Sequence, residues 1–307
     1  MFVRAALVAL IPAFALAADP KLPLPEKMLA DGWVALFDGE SDFGWKLTGG
    51  AAVKAGVLTL PPKATATFAV PLPAGNISAF EIDGEGDDEH PGGPLTLSTS
   101  TKPRGVKLLL FKPTKLKPLF NGKDLTGWSV FKDAKREKSK WEVTKAGELH
   151  LTNGPGDLQT AGKFADFVLQ LEVKTADKNL NSGVFFRCID GQYQNGYEMQ
   201  IHNGFKDGDR AKPVDGGSGG IYRRQPARKI VANDKEWFHM TLIAHGPTFA
   251  TFVNGDPVAS WTDTRAKDDN PRKGLRLAAG HLSLQGHDPT TDILFRNIRA
   301  AEFPKGK

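Results

Sequence analysis

A short segment near residue 200 alternates polar and apolar side chains in a pattern that could support chemistry. Successive side chains of a β-strand point to opposite faces, so Glu198, Gln200 and His202 would share one face of a strand over Tyr197–His202. A carboxylate, an amide and an imidazole in one row could meet a sugar on the concave face of a sheet. The same row could also be the solvated outer face of that sheet. The pattern alone leaves both interpretations open.

Two neighbouring segments carry polar groups of the same kind. Asn181 leads into a strand-like run that ends at Arg187. Tyr222 follows the glycine-rich stretch 216–220, which could form a lid or rim beside such a face.

A histidine near the C-terminus is a second candidate for proton transfer. Gln285 ends a run in which Leu282 and Leu284 alternate with polar residues, and His287 follows beside Asp288. An imidazole next to an acidic residue is suited to proton transfer near neutral pH. A loop histidine beside an aspartate can also be merely exposed, and the sequence does not decide between the two.

The elements that would position these residues are short strands. Thirty-three glycines and 21 prolines separate short β-branched and aromatic runs, and no long window shows helical periodicity. The run 254–256 (NGD) is a turn signal after the strand-like run Phe249–Val253, and the run 245–247 (HGP) predicts a hairpin between that run and the preceding strand. Many short strands joined by glycine-rich turns predict an all-β protein, an antiparallel β-sandwich that is most simply a jelly roll.

The chain also begins this fold twice. The decapeptide Leu36–Trp45 (LFDGESDFGW) recurs without gaps as Leu119–Trp128 (LFNGKDLTGW). Shorter matches follow in the same order, and they place Gly105–Leu110 near Gly196–Ile201. The first copy is shorter, so the sequence predicts a partial repeat in front of a complete one.

This repeat predicts the domain organisation. Residues 19–114 are expected to form a small β-rich domain, a truncated and non-catalytic repeat. Residues 115–304 are expected to form the jelly roll that carries the candidate site, with the boundary near Thr114.

The N-terminus predicts export. Arg4 precedes the apolar run Ala5–Ala18, and a small-x-small motif predicts cleavage near Ala17/Ala18, so residues 1–18 would be a signal peptide. The run is shorter than the roughly 20 residues that span a bilayer, which predicts no membrane span. The mature chain would be periplasmic or secreted, and the sequence does not distinguish these or indicate an oligomeric state.

Charge and cysteine content narrow the function further. The net charge is +5, but the basic residues are spread along the chain and are not interleaved with stacking aromatic residues. The sequence therefore predicts no nucleic-acid partner. Cys188 is the only cysteine, and its strand-like setting predicts a buried core residue, with no disulfide.

Several of these segments together resemble a known family. The strings LFNGKDLTGW, NSGVFFR, GYEMQIHN and LSLQGHD, in this order and spacing between Leu119 and Phe303, resemble the 3-keto-disaccharide hydrolase family. The resemblance implies a concanavalin-like jelly roll and action on glycosides that are already oxidised to a ketone at C3.

The resemblance also implies roles for the candidate residues. A C3 ketone acidifies the C2 hydrogen, so a base can remove it, and the enolate can expel the C1 substituent before water adds. Glu198 or His287 would be the base or acid, and Arg187 would stabilise the enolate oxygen. Gln200, Asn181 and Tyr222 would bind sugar hydroxyl groups, and His202 and Gln285 would also be substrate-binding residues.

Two points stay open at this stage. A divalent metal could polarise the ketone, but no sequence motif with metal-ligand spacing supports one, so no cofactor is assigned. The alternative function is a non-catalytic carbohydrate-binding module, because jelly rolls serve both purposes. Both functions predict a carbohydrate partner.

Overall fold

The structure, a computed structural model, describes residues 22–304. The signal peptide predicted for residues 1–18 lies outside the described residues. The described part of the chain contains one short helix, α1 (Glu26–Ala30), before its first strand. Within residues 22–304, no helix has the length and apolar character needed to cross a bilayer.

The region before residue 114 forms two antiparallel sheets. Its strands are β1 (Val34–Phe37), β2 (Trp45–Thr48), β3 (Ala52–Lys54), β4 (Val57–Leu60), β5 (Thr65–Phe68), β6 (Gly75–Glu81), β7 (Gly84–His90), β8 (Thr96–Ser98) and β9 (Arg104–Pro113). One sheet has the order β3-β4-β9-β6-β7, with β1 also paired to β9. Strands β2, β5 and β8 form the second sheet.

The region after residue 114 forms two larger antiparallel sheets. Its strands are β10 (Lys117–Pro118), β11 (Trp128–Val130), β12 (Lys140–Val143), β13 (Leu149–Thr152), β14 (Gly156–Phe164), β15 (Phe167–Thr175), β16 (Ser182–Cys188), β17 (Tyr197–Ile201), β18 (Phe238–His245), β19 (Thr248–Val253), β20 (Asp256–Thr262), β21 (Gly280–Gly286) and β22 (Asp292–Glu302). The eight-stranded sheet has the order β12-β13-β22-β15-β18-β19-β20, with β10 on β22. The five-stranded sheet has the order β11-β14-β21-β16-β17. The predicted all-β jelly roll is confirmed. The hairpin predicted at residues 245–247 joins β18 to β19, and the turn predicted at residues 254–256 joins β19 to β20.

Apolar alternation explains how these two sheets pack. Tyr197, Met199 and Ile201 of β17 are all buried in the main core. Tyr197 stacks on Phe186 with a centroid distance of 5.4 Å. The polar residues of β17, Glu198 and Gln200, therefore lie on its opposite face. Cys188 is fully buried at the end of β16, as its setting predicted.

The sequence repeat is also a structural repeat. In the first copy, the indole Nε1 of Trp45 donates to the carbonyl of Leu36 at 2.8 Å. In the second copy, Trp128 donates to Leu119 at 2.8 Å in the same way. In each copy, this hydrogen bond therefore links the last residue of the decapeptide to its first residue.

The order of strands corrects one of the sequence matches. Strand β9 lies between β4 and β6, and β22 lies between β13 and β15, each after a corresponding hairpin. Gly105–Leu110 therefore corresponds to part of β22, and its match to Gly196–Ile201 is wrong. The described part of the first copy has a final strand, β9, and has no counterparts of the inserted strands β16 and β17. The wrong match arose because short apolar runs in a repeat can be aligned in more than one register.

The two copies pack against each other. Val168, Ile243, Ala250 and Phe252 point out of the eight-stranded sheet and are buried in the apolar cluster of the first copy. At the edge of this contact, Arg228 forms ion pairs with Asp38 of the first copy and with Asp256, the latter at 2.9 Å. The first copy thus covers the outer face of the sheet that lies behind the candidate site.

Candidate active site

The candidate site lies on the polar face of the five-stranded sheet. Antiparallel partners point to the same side of a sheet, and Glu198 pairs with Phe185 while Gln200 pairs with Gly183. Gln285 of β21 pairs with Asp157 of β14 on the neighbouring strands. Glu198, Gln200 and Gln285 therefore share one face, opposite the sandwich core.

A cleft of about 400 Å³ opens over this face. Its floor includes Glu198 and Gln285, and its rim comes from the loops after β17 and β20. The lining residues are Phe185, Gln194, Gly196, Tyr197, Glu198, Ile221, Tyr222, Arg223, Arg224, Pro271, Arg272 and Gln285. Glu198 therefore faces a concave surface. This excludes the interpretation in which its side of the strand is a solvated outer face.

Glu198 carries the one carboxyl group among the described residues that line the cleft. It is only 9% exposed. Its carboxylate has no hydrogen-bond donor among residues 22–304. Burial raises the pKa of Glu198 to about 8, although the positive charge of Arg272 acts to lower it. A carboxyl group with this pKa exists in both protonation states near neutral pH, which suits general acid–base chemistry.

Gln200 and Asn181 lie outside the cleft lining, and both are held by Asp215, which was not among the predicted site residues. The side-chain amide of Asn181 donates to Oδ2 of Asp215 at 2.6 Å, and that of Gln200 donates to the same atom at 2.9 Å. Both amide nitrogens are thus fixed by one carboxylate. The Oε1 atom of Gln200 is buried without a hydrogen-bond partner in the described structure.

Gln285 shows the same feature. Its Nε2 donates to Oε1 of Gln194 at 3.1 Å, while its own Oε1 is buried without a partner in the part of the chain that is described. An unsatisfied buried acceptor costs free energy unless a ligand or water supplies a donor. Within residues 22–304, the Oε1 atoms of Gln200 and Gln285 therefore each lack one hydrogen bond, which a water molecule or a ligand hydroxyl group could supply.

The two predicted histidines lie beyond the cleft lining. His202 is buried, and its Nδ1 accepts a hydrogen bond from the backbone N–H of Gly204 at 3.1 Å. Burial lowers the pKa of His202. His287 lies just past β21, where its side chain is 43% exposed and its Nδ1 is 2.7 Å from Oδ2 of Asp288.

Tyr222 is placed where the sequence analysis expected, on the rim of the cleft. Its backbone N–H donates to the carbonyl of Glu198 at 2.9 Å, which brings the loop onto β17. The guanidinium of Arg223 lies 5.2 Å from the centre of the Tyr222 ring.

Arg187 does not belong to the cleft, so its assignment as the enolate-stabilising group is corrected. Its backbone has φ of +51°, and the pairing of β16 with β21 shifts register between Phe185 and Cys188. This irregularity turns the side chain into the interior, where the guanidinium donates to the carbonyls of Ala165 and Gly246, each at 2.8 Å. It is completely buried and also pairs with Asp166 at 3.0 Å.

The structure adds an acidic residue beneath the cleft. Asp157 is fully buried on β14, where it accepts hydrogen bonds from Ser283 and, at 3.0 Å, from Gln159. Burial raises the pKa of Asp157 to about 6, against the effect of the bond from Ser283. The alternation of Asp157 and Gln159 across Leu158 was the signal that could have identified this pair.

Three non-glycine residues around the cleft adopt left-handed backbone conformations. Gln194, Asp215 and Arg223 have φ values of +44°, +49° and +58°. Such conformations cost on the order of 1 kcal/mol for an ordinary residue and concentrate at functional sites. Each of the three presents its side chain at or beside the cleft.

The described residues include no group of three or more His, Cys, Asp or Glu side chains arranged to hold a metal ion.

These features define a concanavalin-like jelly roll with a polar cleft on its smaller sheet. Similar architecture occurs in a protein from Parabacteroides distasonis provisionally described as a glycosyl hydrolase, with 20% identity, a TM-score of 0.50, and coverage of 62% of this chain and 94% of that one. A second such protein from the same organism has 26% identity, a TM-score of 0.48, and coverage of 62% and 100%. A carbohydrate-binding module from Bacillus subtilis has 15% identity, a TM-score of 0.42, and coverage of 58% and 98%.

Sequence comparison identifies the family. Residues 115–301 match the family described as the 3-keto-alpha-glucoside-1,2-lyase-like domain. This match covers more than half of the chain, so the protein belongs to that family, and the resemblance found from its motifs is confirmed. No curated protein matches the chain.

Proposed function

We propose that this protein is an exported enzyme that cleaves 3-keto-glycosides by elimination at C1 followed by hydration. The observation that carries the proposal is Glu198, a buried carboxyl group without a hydrogen-bond donor in the described residues, on the floor of a polar cleft. Family membership supports the same substrate class.

The proposed reaction begins at C2 of the oxidised sugar. The ionised Glu198 carboxylate takes the C2 hydrogen as a proton, and the electron pair of that bond is delocalised onto the C3 oxygen as an enolate. When the enolate collapses, a C1–C2 double bond forms and the C1–O bond breaks. Addition of water across this double bond then gives net hydrolysis.

An electrophile must stabilise the enolate oxygen, and Arg272 replaces Arg187 in this role. Arg272 lines the cleft and is the charged group with the largest effect on Glu198. Its Nη2 donates to the carbonyl of Gln194 at 2.6 Å, which orients the guanidinium. A positioned cation beside a developing oxyanion lowers the barrier to its formation.

The sugar hydroxyl groups are assigned to the amide side of the cleft. Gln200 and Gln285 offer buried, unpartnered oxygens, and Asn181 is fixed beside Gln200 by Asp215. Tyr222 and His202 border the same region and complete the proposed substrate-binding set.

His287 remains the candidate acid for the leaving oxygen. Asp288 holds its Nδ1, and its Nε2 has no hydrogen bond among the described residues. An imidazolium held in this way can donate from Nε2. Because His287 lies outside the cleft lining, its role depends on how far a bound glycoside extends along β21.

Assay of the purified protein on 3-keto-trehalose and 3-keto-sucrose, beside the unoxidised sugars, tests the proposal. We expect cleavage of the oxidised sugars only. Binding of these sugars without turnover would instead favour the carbohydrate-binding module.

Deuterium exchange tests the first chemical step separately. The 3-keto derivative of 1,5-anhydroglucitol has no glycosidic oxygen at C1 to expel, so in D2O the enzyme should exchange its C2 hydrogen without cleaving a glycosidic bond. Glu198→Gln should abolish this exchange, whereas Glu142→Gln, which changes an exposed carboxylate on the other sheet, should preserve it. Full exchange by Glu198→Gln would contradict the assignment of the base.

A further inference from the structure

The cleft carries more positive charge than the proposed reaction uses. Arg223, Arg224 and Arg272 all line it, together with the single carboxyl group of Glu198. If Arg272 stabilises the enolate, two guanidinium groups have no assigned role.

Arg223 and Arg224 also lack a carboxylate partner among the described residues. Elsewhere, Arg228, Arg265 and Arg296 each form an ion pair with a carboxylate. Within residues 22–304, the guanidinium of Arg223 has no hydrogen bond or ion pair, and its contact is the ring of Tyr222. Arg224 donates to the carbonyl of Arg272 at 2.8 Å and has no carboxylate partner in the same range.

The backbone of the loop between β17 and β18 fixes the positions of Arg223 and Arg224. Arg223 is exposed in a left-handed conformation, with φ of +58°, which a side chain rarely adopts. The backbone N–H groups of Tyr222, Arg224 and Gln225 donate to carbonyls of Glu198 and Ile221, so this turn is fixed against β17. The loop thus holds two adjacent guanidinium groups at the mouth of the cleft.

Guanidinium groups are planar, always charged and well matched to oxyanions, which they bind through paired hydrogen bonds. We infer that the glycoside taken by this cleft carries an anionic oxygen group, a carboxylate, sulfate or phosphate, and that Arg223 and Arg224 bind it. This inference rests on the proposed function and specifies its substrate class. The amide side of the cleft would hold the neutral hydroxyl groups, while the arginine side would hold the anion.

Matched substrates test the inference. The kcat/KM of the 3-keto derivative of 4-nitrophenyl glucoside is compared with those of the corresponding glucuronide, the 6-sulfate, the 6-phosphate and a 4-carboxyphenyl glucoside. At low salt, we expect at least one anionic substrate to be preferred by about tenfold or more, and this preference should fall as salt is added. The substrate with the greatest preference identifies the anion and its position. Equal kcat/KM values for neutral and anionic substrates would overturn the inference while leaving the proposed function intact.

Variants test whether the two arginines are responsible. The double variant Arg223→Gln/Arg224→Gln should bring the ratio of anionic to neutral kcat/KM close to one. Lys273→Gln removes an exposed positive charge next to Arg272, outside the cleft lining, and should keep the wild-type ratio. An unchanged ratio in the double variant, or an equal loss in Lys273→Gln, would contradict the assignment.

A binding measurement separates this inference from the proposed reaction. If no 3-keto-glycoside is cleaved, the proposed function fails, and the thermal stabilisation of the wild-type protein by glucuronate is compared with that by glucose. Greater stabilisation by glucuronate, reduced in the double variant, would still support an anion-binding cleft. Equal stabilisation by the two sugars would overturn it.

Discussion

At the scale of single residues, the environment of Glu198 makes an ordinary carboxyl group a candidate base. Phe185 lies beside it on β16, and no donor among the described residues reaches its oxygens. Removal from water without compensating hydrogen bonds disfavours the charged form, and this effect outweighs the attraction of Arg272. A base with a raised pKa is stronger once it is ionised.

The raised pKa of Glu198 predicts the pH dependence of activity. Only the ionised carboxylate can take the C2 proton, so kcat/KM should increase with pH up to about 8 and then level off. The measurement is a pH profile on a neutral 3-keto-glucoside. A profile that falls over this range would assign Glu198 the role of an acid instead.

The same pKa predicts how Glu198 affects stability. Below the ordinary glutamate pKa of 4.5, the folded and unfolded states both hold the proton. As the pH rises towards 8, only the unfolded state releases it, so stability is lost. Glu198→Gln avoids this loss, and its gain in the free energy of unfolding should grow from near zero at pH 4 to about 3 kcal/mol at pH 7. Urea unfolding at a series of pH values measures this gain. A gain independent of pH would contradict the account.

Arg187 predicts the opposite behaviour, because its role is structural. Arg187→Met leaves Asp166 and several carbonyls without their donor and should lower the free energy of unfolding by about 3 kcal/mol. Under conditions in which the variant is folded, kcat/KM should change less than about threefold, since no reacting group is lost. Loss of turnover at unchanged stability would return Arg187 to the active site.

These residues show how far sequence reasoning extends at this scale. Period-two alternation correctly places Glu198, Gln200 and Gln285 on one face, because the pleat of a strand fixes side-chain direction. It misplaces Arg187, because a local break in pairing inverts the direction that alternation predicts. Asp215 had no periodic signal, since it comes from a loop.

At the scale of elements, the pairing of β16 with β17 controls the geometry of the base. Gly183 lies directly beside Glu198, and a Cβ atom added to Gly183 would approach Oε1 of Glu198 to 2.5 Å. The absence of a side chain at this position therefore makes room for the carboxylate.

This close approach predicts a selective loss of activity. Gly183→Ala should displace the Glu198 carboxylate and lower kcat/KM by about tenfold or more, because proton transfer depends on position. Gly162→Ala, at an exposed position of β14, is the matched control and should leave activity near the wild-type level. Wild-type activity in Gly183→Ala would show that the carboxylate tolerates displacement.

The loop between β17 and β18 could not be predicted in the same way. Its residues 203–237 have no alternation, and its shape depends on tertiary hydrogen bonds such as that from the amide of Asn203 to Asp234, at 3.0 Å. Glycine content suggested a rim, but the positions of Arg223 and Arg224 follow from contacts that only the folded chain provides. The strands themselves were predictable because apolar and polar residues alternate along them even where the strand pairing is locally irregular.

At the scale of the whole molecule, the first copy acts as a cover for the second. It buries four apolar side chains on the outer face of the eight-stranded sheet, including Phe252 and Ile243. The repeat could be recognised from its decapeptide, but this packing could not, since a repeat does not specify how its copies meet.

Removal of the first copy tests the importance of this cover. A chain that lacks residues 22–113 should expose these apolar side chains and associate or unfold, because a large exposed apolar patch favours aggregation. Size-exclusion chromatography and thermal unfolding of the shortened chain measure the effect. A monomer with an unchanged melting temperature would show that the second copy is stable alone.

The buried thiol of Cys188 has a practical consequence for such measurements. It is the chain's single sulfhydryl, it lies at the end of β16, and burial raises its pKa well above the usual range. A thiol-specific reagent should therefore label the protein only when the five-stranded sheet opens. The labelling rate would report the opening of the sheet that carries the candidate site, without any engineered probe.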